Sequence, residues 1–500
     1  MNLEQQKKQA RELLRAIRAG DLAALERLRR HHPRWAAVSE IRARQLVALH
    51  DTQYALAREQ GFSSWSKLKA YAQPSADSRH TRLFVADVEW IGDRVQGLLN
   101  AHRSGVPAAL EQIREWHPRF TDAADLDIQE ASFTESDARL VYAREHGFGR
   151  WEDLTARVEA LAQGRGEEPF LSAFKAIEIG DVATLQSLLR AHPQLAGARG
   201  TNGNTLLNLG VSLIGIARRG NTSSGQVGID LAVIDALLAA GADANEPNDR
   251  GGTPLHQAGY ANLPDVAEQL IAAGAAVDTD AHGSGGTPLV VALFWGHREV
   301  GDFLAGHGVV PRNLRAAAGV GDLTLVDTFF APDGTLTDEA GAARGFYRPH
   351  TGFPDWQPST DSQEVLDEAL VWACKSDRIE VLDRLVRGGA RLDADPYRGT
   401  ALIWAAVNNR ARAAEWLLDR GADVNGRGTF GGLDHGQGVT ALMMAAQYGH
   451  LSMVRLLVER GADLNAVDDL HGGTAEQAAE YFKQTAVKDY LASRASRRSG

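Results

Sequence analysis

Cysteine is almost missing from this chain: Cys374 stands alone among 500 residues. That excludes an internal disulfide framework and any Cys-rich zinc site. Cys374 sits inside the helical pattern Ala-Leu-Val-Trp-Ala-Cys and reads as a buried structural thiol. Excess positive charge is missing too. A net charge of −11 argues against general nucleic-acid binding, which sets Lys and Arg against phosphate. The first fifty residues run the other way, with 11 Lys/Arg against 5 Asp/Glu, and read as a solvated helix face rather than a binding arm. No stretch approaches the roughly 18 to 20 apolar residues that span a bilayer, and Met1 to Lys8 holds no apolar core for a signal peptide. The expectation is a cytoplasmic, monomeric chain with no membrane and no nucleic-acid partner. Catalytic signatures are scarce as well. The 16 histidines show no His-Glu-x-x-His or other metal spacing, and no Gly-x-Ser-x-Gly element marks a nucleophile. Gly283-Ser-Gly-Gly and Gly436-Gln-Gly lack the Gly-Lys-Ser/Thr ending of a phosphate loop. No catalytic residue, cofactor or metal ligand is predicted.

What the chain has is repetition. At 44% hydrophobic and 23% charged it is an ordinary globular sequence, too long for one core, so several domains or a repeat array are expected. The stretch from Gly438 to Asp468 is the clearest unit. Thr440 suits a helix N-cap, Ala445 and Ala446 allow close helix approach, and Gly449 and Gly461 stand where helices should stop. Val454, Leu457 and Val458 give the second helix one apolar face, and Asp463 and Asn465 suit the turn that follows. Similar units open at Thr205, Thr253-Pro254, Thr287-Pro288, Leu314, Asp367, Thr400 and Thr474. The Thr-to-Gly spacing is 21 residues from Thr253, Thr287, Thr400 and Thr440 but 36 from Thr205 to Gly241. The excess, around Ile214 to Gly228, is rich in Gly, Ser, Thr and Asn and is predicted to be a loop.

These units resemble the ankyrin repeat, close to its Thr-Pro-Leu-His-x-Ala pattern at a period near 33 residues. The resemblance implies an all-α ankyrin-repeat solenoid of helix–turn–helix units joined by short hairpin loops. Three degenerate relatives precede or open the array, each a helix pair around Gly20, Gly105 or Gly180 that ends at His32-Pro33, His117-Pro118 or His192-Pro193. The residue before proline is pushed out of the helical region, so each second helix should end there. Two copies of Phe-x-x-Trp-x-x-Leu follow, at Phe62/Trp65/Leu68 and Phe148/Trp151/Leu154, and read as core faces. That element resembles the N-terminal regions of bacterial ankyrin-repeat proteins, which implies a bacterial source. The predicted organisation is two N-terminal helical units at 1–75 and 76–165, and a first repeat block at 169–330. An inserted loop at 331–362 separates it from a second block with its cap at 363–491, before a flexible tail at 492–500.

Ankyrin solenoids bind through their concave surface and hairpin tips, so the resemblance implies a protein–protein interaction scaffold, with another protein as partner. Trp295, Asn408 and Tyr448 hold the same place, eight residues after the capping Thr, and are predicted to face the groove. Trp372 and Trp404 share another offset and read as core. The insertion is dense in proline and aromatics, with Tyr347, Arg348, His350, Asp355 and Trp356. A second insertion lengthens the hairpin carrying Asp434 and His435. Neighbouring loops of a solenoid lie side by side, so these residues, with Tyr397, Arg398 and His471, are expected to come together. One reading is a lid that repairs a damaged repeat; the other is a small-molecule or enzymatic site under loop 345–358, against the hairpins at 395–398 and 430–438. An inhibitor or immunity role is a further alternative. Asp393/Asp395 and Asp278/Asp280 read as turn chemistry, and His297 and His450 as structural hydrogen-bonders.

Overall fold

Helix boundaries follow the local chemistry throughout the computed structural model, which describes residues 3–32, 35, 38–59, 65, 80–218, 231–281, 285–345, 358–429 and 437–498. The N-terminal region contributes α1 (Leu3–Ala19), α2 (Leu22–His31), α3 (Glu40–Leu46) and α4 (Leu49–Glu59). Its second unit contributes α5 (Val88–Arg103), α6 (Pro107–Trp116), α7 (Asp125–Glu130), α8 (Glu135–Glu145) and α9 (Trp151–Ala162). Each unit closes its own hydrophobic cluster, one around Leu13, Ile17, Leu28 and Trp35, the other around Ile91, Ile113, Val141 and Leu154. In the second unit Leu154 is buried, with Phe148 and Trp151 packed against the same cluster; Phe62 and Leu68 lie outside the described residues.

The repeated His-Pro does more than end a helix. His117 Nε2 stands 3.1 Å from Asp137 Oδ1, while Asp137 Oδ2 accepts the Thr134 N–H at 2.8 Å to cap α8. In the first unit His32 Nε2 lies 3.4 Å from Asp51 Oδ1, and Asp51 Oδ2 accepts the Ala48 N–H at 2.8 Å. The same joint is thus built twice: an Asp in the first turn of one helix caps it and meets the His that ends another. A second repeated pair diverges. Arg27 and Glu59 form an exposed ion pair at 2.6 Å. Their counterparts Gln112 and Glu145 meet at 2.9 Å, where the next unit covers them. Burial, then the charge of Asp249, raises the Glu145 pKa.

Nine helix pairs follow among the described residues. They are α10 (Pro169–Glu178) with α11 (Val182–Ala191), α12 (Leu206–Arg218) with α13 (Ala232–Ala239), and α14 (Pro254–Ala261) with α15 (Pro264–Ala272). Next come α16 (Pro288–Phe294) with α17 (Arg298–Gly306), α18 (Leu314–Val320) with α19 (Leu323–Thr328), and α20 (Ser362–Lys375) with α21 (Ile379–Arg387). The last three are α22 (Ala401–Val407) with α23 (Ala411–Asp419), α24 (Ala441–Gln447) with α25 (Leu451–Glu459), and α26 (Ala475–Tyr481) with α27 (Thr485–Arg498). One continuous core runs through all nine, the arrangement of an all-α repeat solenoid.

The capping threonines act as expected: Thr287, Thr400, Thr440 and Thr474 each accept a backbone N–H three residues on, at 3.3 Å. The hairpin Asp and Asn residues are also turn chemistry. Asn248, Asp280, Asp395 and Asp468 each accept the N–H of a glycine four or five residues later, Gly252, Gly285, Gly399 or Gly473. Asp393 accepts the Asp423 N–H and ties two hairpins together. His297 and His450 bond to carbonyls of the preceding units, Gly259 and Val407.

Three expectations need correction. Residues 214–218, predicted as loop, continue α12, because Ile214 and Gly215 are buried in the core. The tail predicted to be flexible is helical as far as Arg498, with Val487 and Leu491 of α27 buried against the last pair. The sixth pair opens at Ser362 rather than Asp367, because Asp361 caps it through the Gln363 N–H at 3.0 Å. At the start of the inserted loop at 331–362, Phe330 bridges Leu336 and a 3₁₀ turn covers Asp338–Gly341.

Candidate functional site

The solenoid departs from a regular stack at its middle. Helix α18 reads Leu-Arg-Ala-Ala-Ala-Gly-Val, and its small residues let the 14-residue α20 lie close against it. Helix α16 therefore packs on both α18 and α20. At Gly319 a Cβ would stand 3.2 Å from a methyl of Leu293, so side-chain bulk there would separate them. The end of α16 is consequently met by residues from the sixth and seventh pairs.

Around that junction lies a buried cluster of cations and aromatics. Lys375, the last residue of α20, is fully buried. Its ammonium donates to the Phe294 carbonyl at 3.0 Å. It also stands 3.5 Å from the Trp404 ring centre, 4.5 Å from Phe294 and 5.6 Å from Trp372. The Arg398 guanidinium lies 5.6 to 6.0 Å from Trp295, Phe294 and Trp404. Arg315 sits 4.6 Å from Trp372 and pairs with Glu368 at 2.9 Å. Arg344 pairs with the other oxygen of Glu368 at 2.6 Å and also bonds the Ser359 carbonyl. Burial, then the neighbouring Arg398, holds the Lys375 ammonium well below its ordinary pKa. The π faces partly replace its lost hydration.

Trp295, Asn408 and Tyr448 occupy the C-caps of α16, α22 and α24, as their shared register predicts. Their environments differ. Trp295, expected to be exposed in the groove, is half-buried, packed edge-on against Phe294 at 5.0 Å. Its indole N–H is buried with no hydrogen-bond partner among the described residues. Asn408 packs against Gly296, where a Cβ would meet its side-chain oxygen at 2.5 Å. Tyr448 remains 45% exposed, and the next pair adds Tyr481 at 81% and Phe482 at 45%. Those two aromatics were missed because the last unit reads as a degenerate cap, although Phe482 holds the same C-cap position.

Of the predicted loop cluster, Tyr347, Arg348, His350, Asp355, Trp356, Asp434 and His435 lie outside the described residues. Tyr397 is half-buried against the array core, and Arg398 is buried among the aromatics above. His471 is a turn residue of the last hairpin, mostly exposed, with its ring 3.5 Å from Asp468. Trp372 and Trp404 are buried. Cys374 is buried as well, and desolvation pushes its thiol pKa up. Lys375, Arg315, Arg344 and Glu368 were not singled out by sequence. The available signal was a charge interrupting an apolar helix, as in Leu-Arg-Ala-Ala-Ala and Asp-Glu-Ala-Leu-Val-Trp.

Among the described residues no helix is long and apolar enough to cross a membrane. Residues 437–469 match the family model of the ankyrin repeat, and residues 225–313 and 350–427 match that of ankyrin repeats in three copies. The ankyrin repeat and KH domain-containing protein mask-1 of Caenorhabditis elegans is 28% identical over 234 residues, which cover 46% of this chain and 8% of that protein. The ankyrin repeat domain-containing protein SAT10 of Stachybotrys chartarum is 29% identical over 245 residues, 44% of this chain and 12% of its own length. Mouse ankyrin repeat and SAM domain-containing protein 6 is 46% identical over 59 residues, 12% of this chain and 7% of that protein. The chain thus spans about a tenth of the length of the first two relatives.

Proposed function

We propose, on the premise that the chain belongs to the ankyrin-repeat family, that it is a protein–protein interaction scaffold working in the cytoplasm. A bacterial source, which the Phe-x-x-Trp-x-x-Leu element suggests, belongs to the same reading; the three relatives named above come from animals and a fungus. One observation carries the choice of surface. The C-cap row stays open at the last two pairs, presenting Tyr448 and Phe482 beside the exposed Tyr481. Amphipathic aromatics presented in a row make efficient contact residues, because they bury large area at little entropic cost. No observation among the described residues favours the small-molecule, enzymatic or inhibitor alternatives.

The test is affinity purification from the native cytosol with the full chain as bait, beside a Tyr448→Ala/Phe482→Ala variant. Loss of two such contacts should lower recovery of the specific partner by about tenfold or more. Equal recovery of every captured protein by both baits would remove this rim from consideration.

A further inference from the structure

The middle of the array is closed by contacts between parts of the chain that a regular solenoid would hold apart. Lys375 of the sixth pair donates to the Phe294 carbonyl of the fourth at 3.0 Å. Arg410, at the start of the seventh pair's outer helix, donates to the Gly296 carbonyl at 2.6 Å and to the Lys375 carbonyl at 2.9 Å. Asn408 fills the space over Gly296. Arg378 bonds the Gly319 carbonyl at 3.0 Å and pairs with Asp302 of the fourth pair's outer helix. Beside the Arg378–Asp302 ion pair, these links are hydrogen bonds to helix-end carbonyls that span 59 to 114 residues of sequence.

The closed arrangement also carries local costs. Ser376 is fully buried, and its hydroxyl has no hydrogen-bond partner among the described residues; the Trp295 indole N–H is in the same position. Unpaired buried polar groups are what opening to water would relieve. Lys375 shares its surroundings with Arg398 and Arg315, with Glu368 as the opposing charge. Buried aromatic packing of Phe294, Trp372 and Trp404 holds this contact, and the unsatisfied polar groups and crowded cations inside it work against that packing.

We propose that Lys375, Asn408 and Arg410 form a clasp that holds the arc pinched between the fourth and seventh pairs, and that this clasp is the element by which the solenoid opens and closes. In the closed arc Trp295 and the carbonyls of Phe294 and Gly296 are occupied internally. In the open arc they join the rim that already carries Tyr448. The chain between the fourth and fifth pairs, His307–Asn313, supplies the joint, with exposed Val310 and half-buried Pro311 outside any helix.

Pulsed electron–electron distance measurement tests this on the full chain. Labels go at Glu268→Cys in α15 and Glu459→Cys in α25, in a Cys374→Ala background, with and without Arg410→Gln. The expected result is one narrow distance in the parent and a longer or at least twofold broader distribution in Arg410→Gln, with unchanged helicity. The same distribution in both chains would overturn the proposal. Hydrogen exchange in the unsubstituted protein gives a second measurement that needs no variant. Amides of Pro288–Phe294 should exchange through a partial opening, about tenfold or more faster than those of Pro254–Ala261. Exchange of both helices only through one common unfolding event would mean a fixed core and no gate.

Discussion

His256 should make the third helix pair acid-labile. Its Nδ1 accepts the Thr253 N–H at 3.1 Å, and its Nε2 stands 3.0 Å from the Gly286 carbonyl. Both bonds together require the neutral ring with its proton on Nε2. The side chain is fully buried, and desolvation lowers its pKa from the ordinary 6.5 to about 4. Because the folded-state value is depressed, the stabilisation is fully present above pH 6.5 and is lost as the pH falls through about 4. The displacement corresponds to about 3 kcal/mol, a large share of what one helix pair contributes. His146 moves in the same direction, also to about 4, at the junction with the second N-terminal unit, so a whole-chain melting curve would mix the two. Hydrogen exchange of the peptide covering Pro254–Ala261, corrected for intrinsic rates, isolates the first. The control is His256→Gln. At the equivalent position of the last pair Gln477 Oε1 already accepts the Thr474 N–H at 2.8 Å, so glutamine can keep the cap while losing the titration. The parent peptide should lose about 3 kcal/mol of protection across that pH window, and the variant should show no such slope. A His256 ring resonance titrating near 6.5 with the pair still folded would refute the reasoning.

Two further predictions concern the core of the array. Glu368→Gln strips the shared carboxylate from the buried Arg315 and Arg344 and should cost about 3 to 5 kcal/mol. Arg420→Gln, at an exposed pair with Asp383, should stay within about 1 kcal/mol; denaturant titration of the two variants checks the contrast, and equal midpoints would count against it. Gly259→Ala places a methyl 2.8 Å from the Pro288 carbonyl, so α14 and α16 must separate, at about 1 to 3 kcal/mol. A variant as stable as the parent would show that helix propensity outweighs that contact.

The two ends of the chain illustrate different limits of sequence reading. In the array, the capping threonines and the hairpin Asp and Asn residues are local devices, each completed within about five residues and recurring with the period, so their roles were legible without a structure. The N-terminal His-Pro could be read as a helix stop, but its meeting with Asp51 or Asp137 depends on a helix that comes later in the chain. Equivalent sequence positions also diverged once packed. Glu59 and Glu145 match in the repeat, yet one pairs with Arg27 at the surface and the other is buried against Gln112.

Sequence by itself determined the repeat period, the helix pairs, the buried tryptophans Trp372 and Trp404 and the shared register of Trp295, Asn408 and Tyr448. These follow from periodicity and from caps that act within one turn. Only the tertiary structure decided that this register splits, with Trp295 held inside a pinched middle and Tyr448 left on an open rim. The cause is non-local: the small residues of α18 let α20 reach α16, and Lys375 and Arg410 then find carbonyl partners 81 and 114 residues away in the chain. A lysine at the end of a helix looks solvated in sequence, and what buries it is the meeting of units that are not neighbours in the repeat.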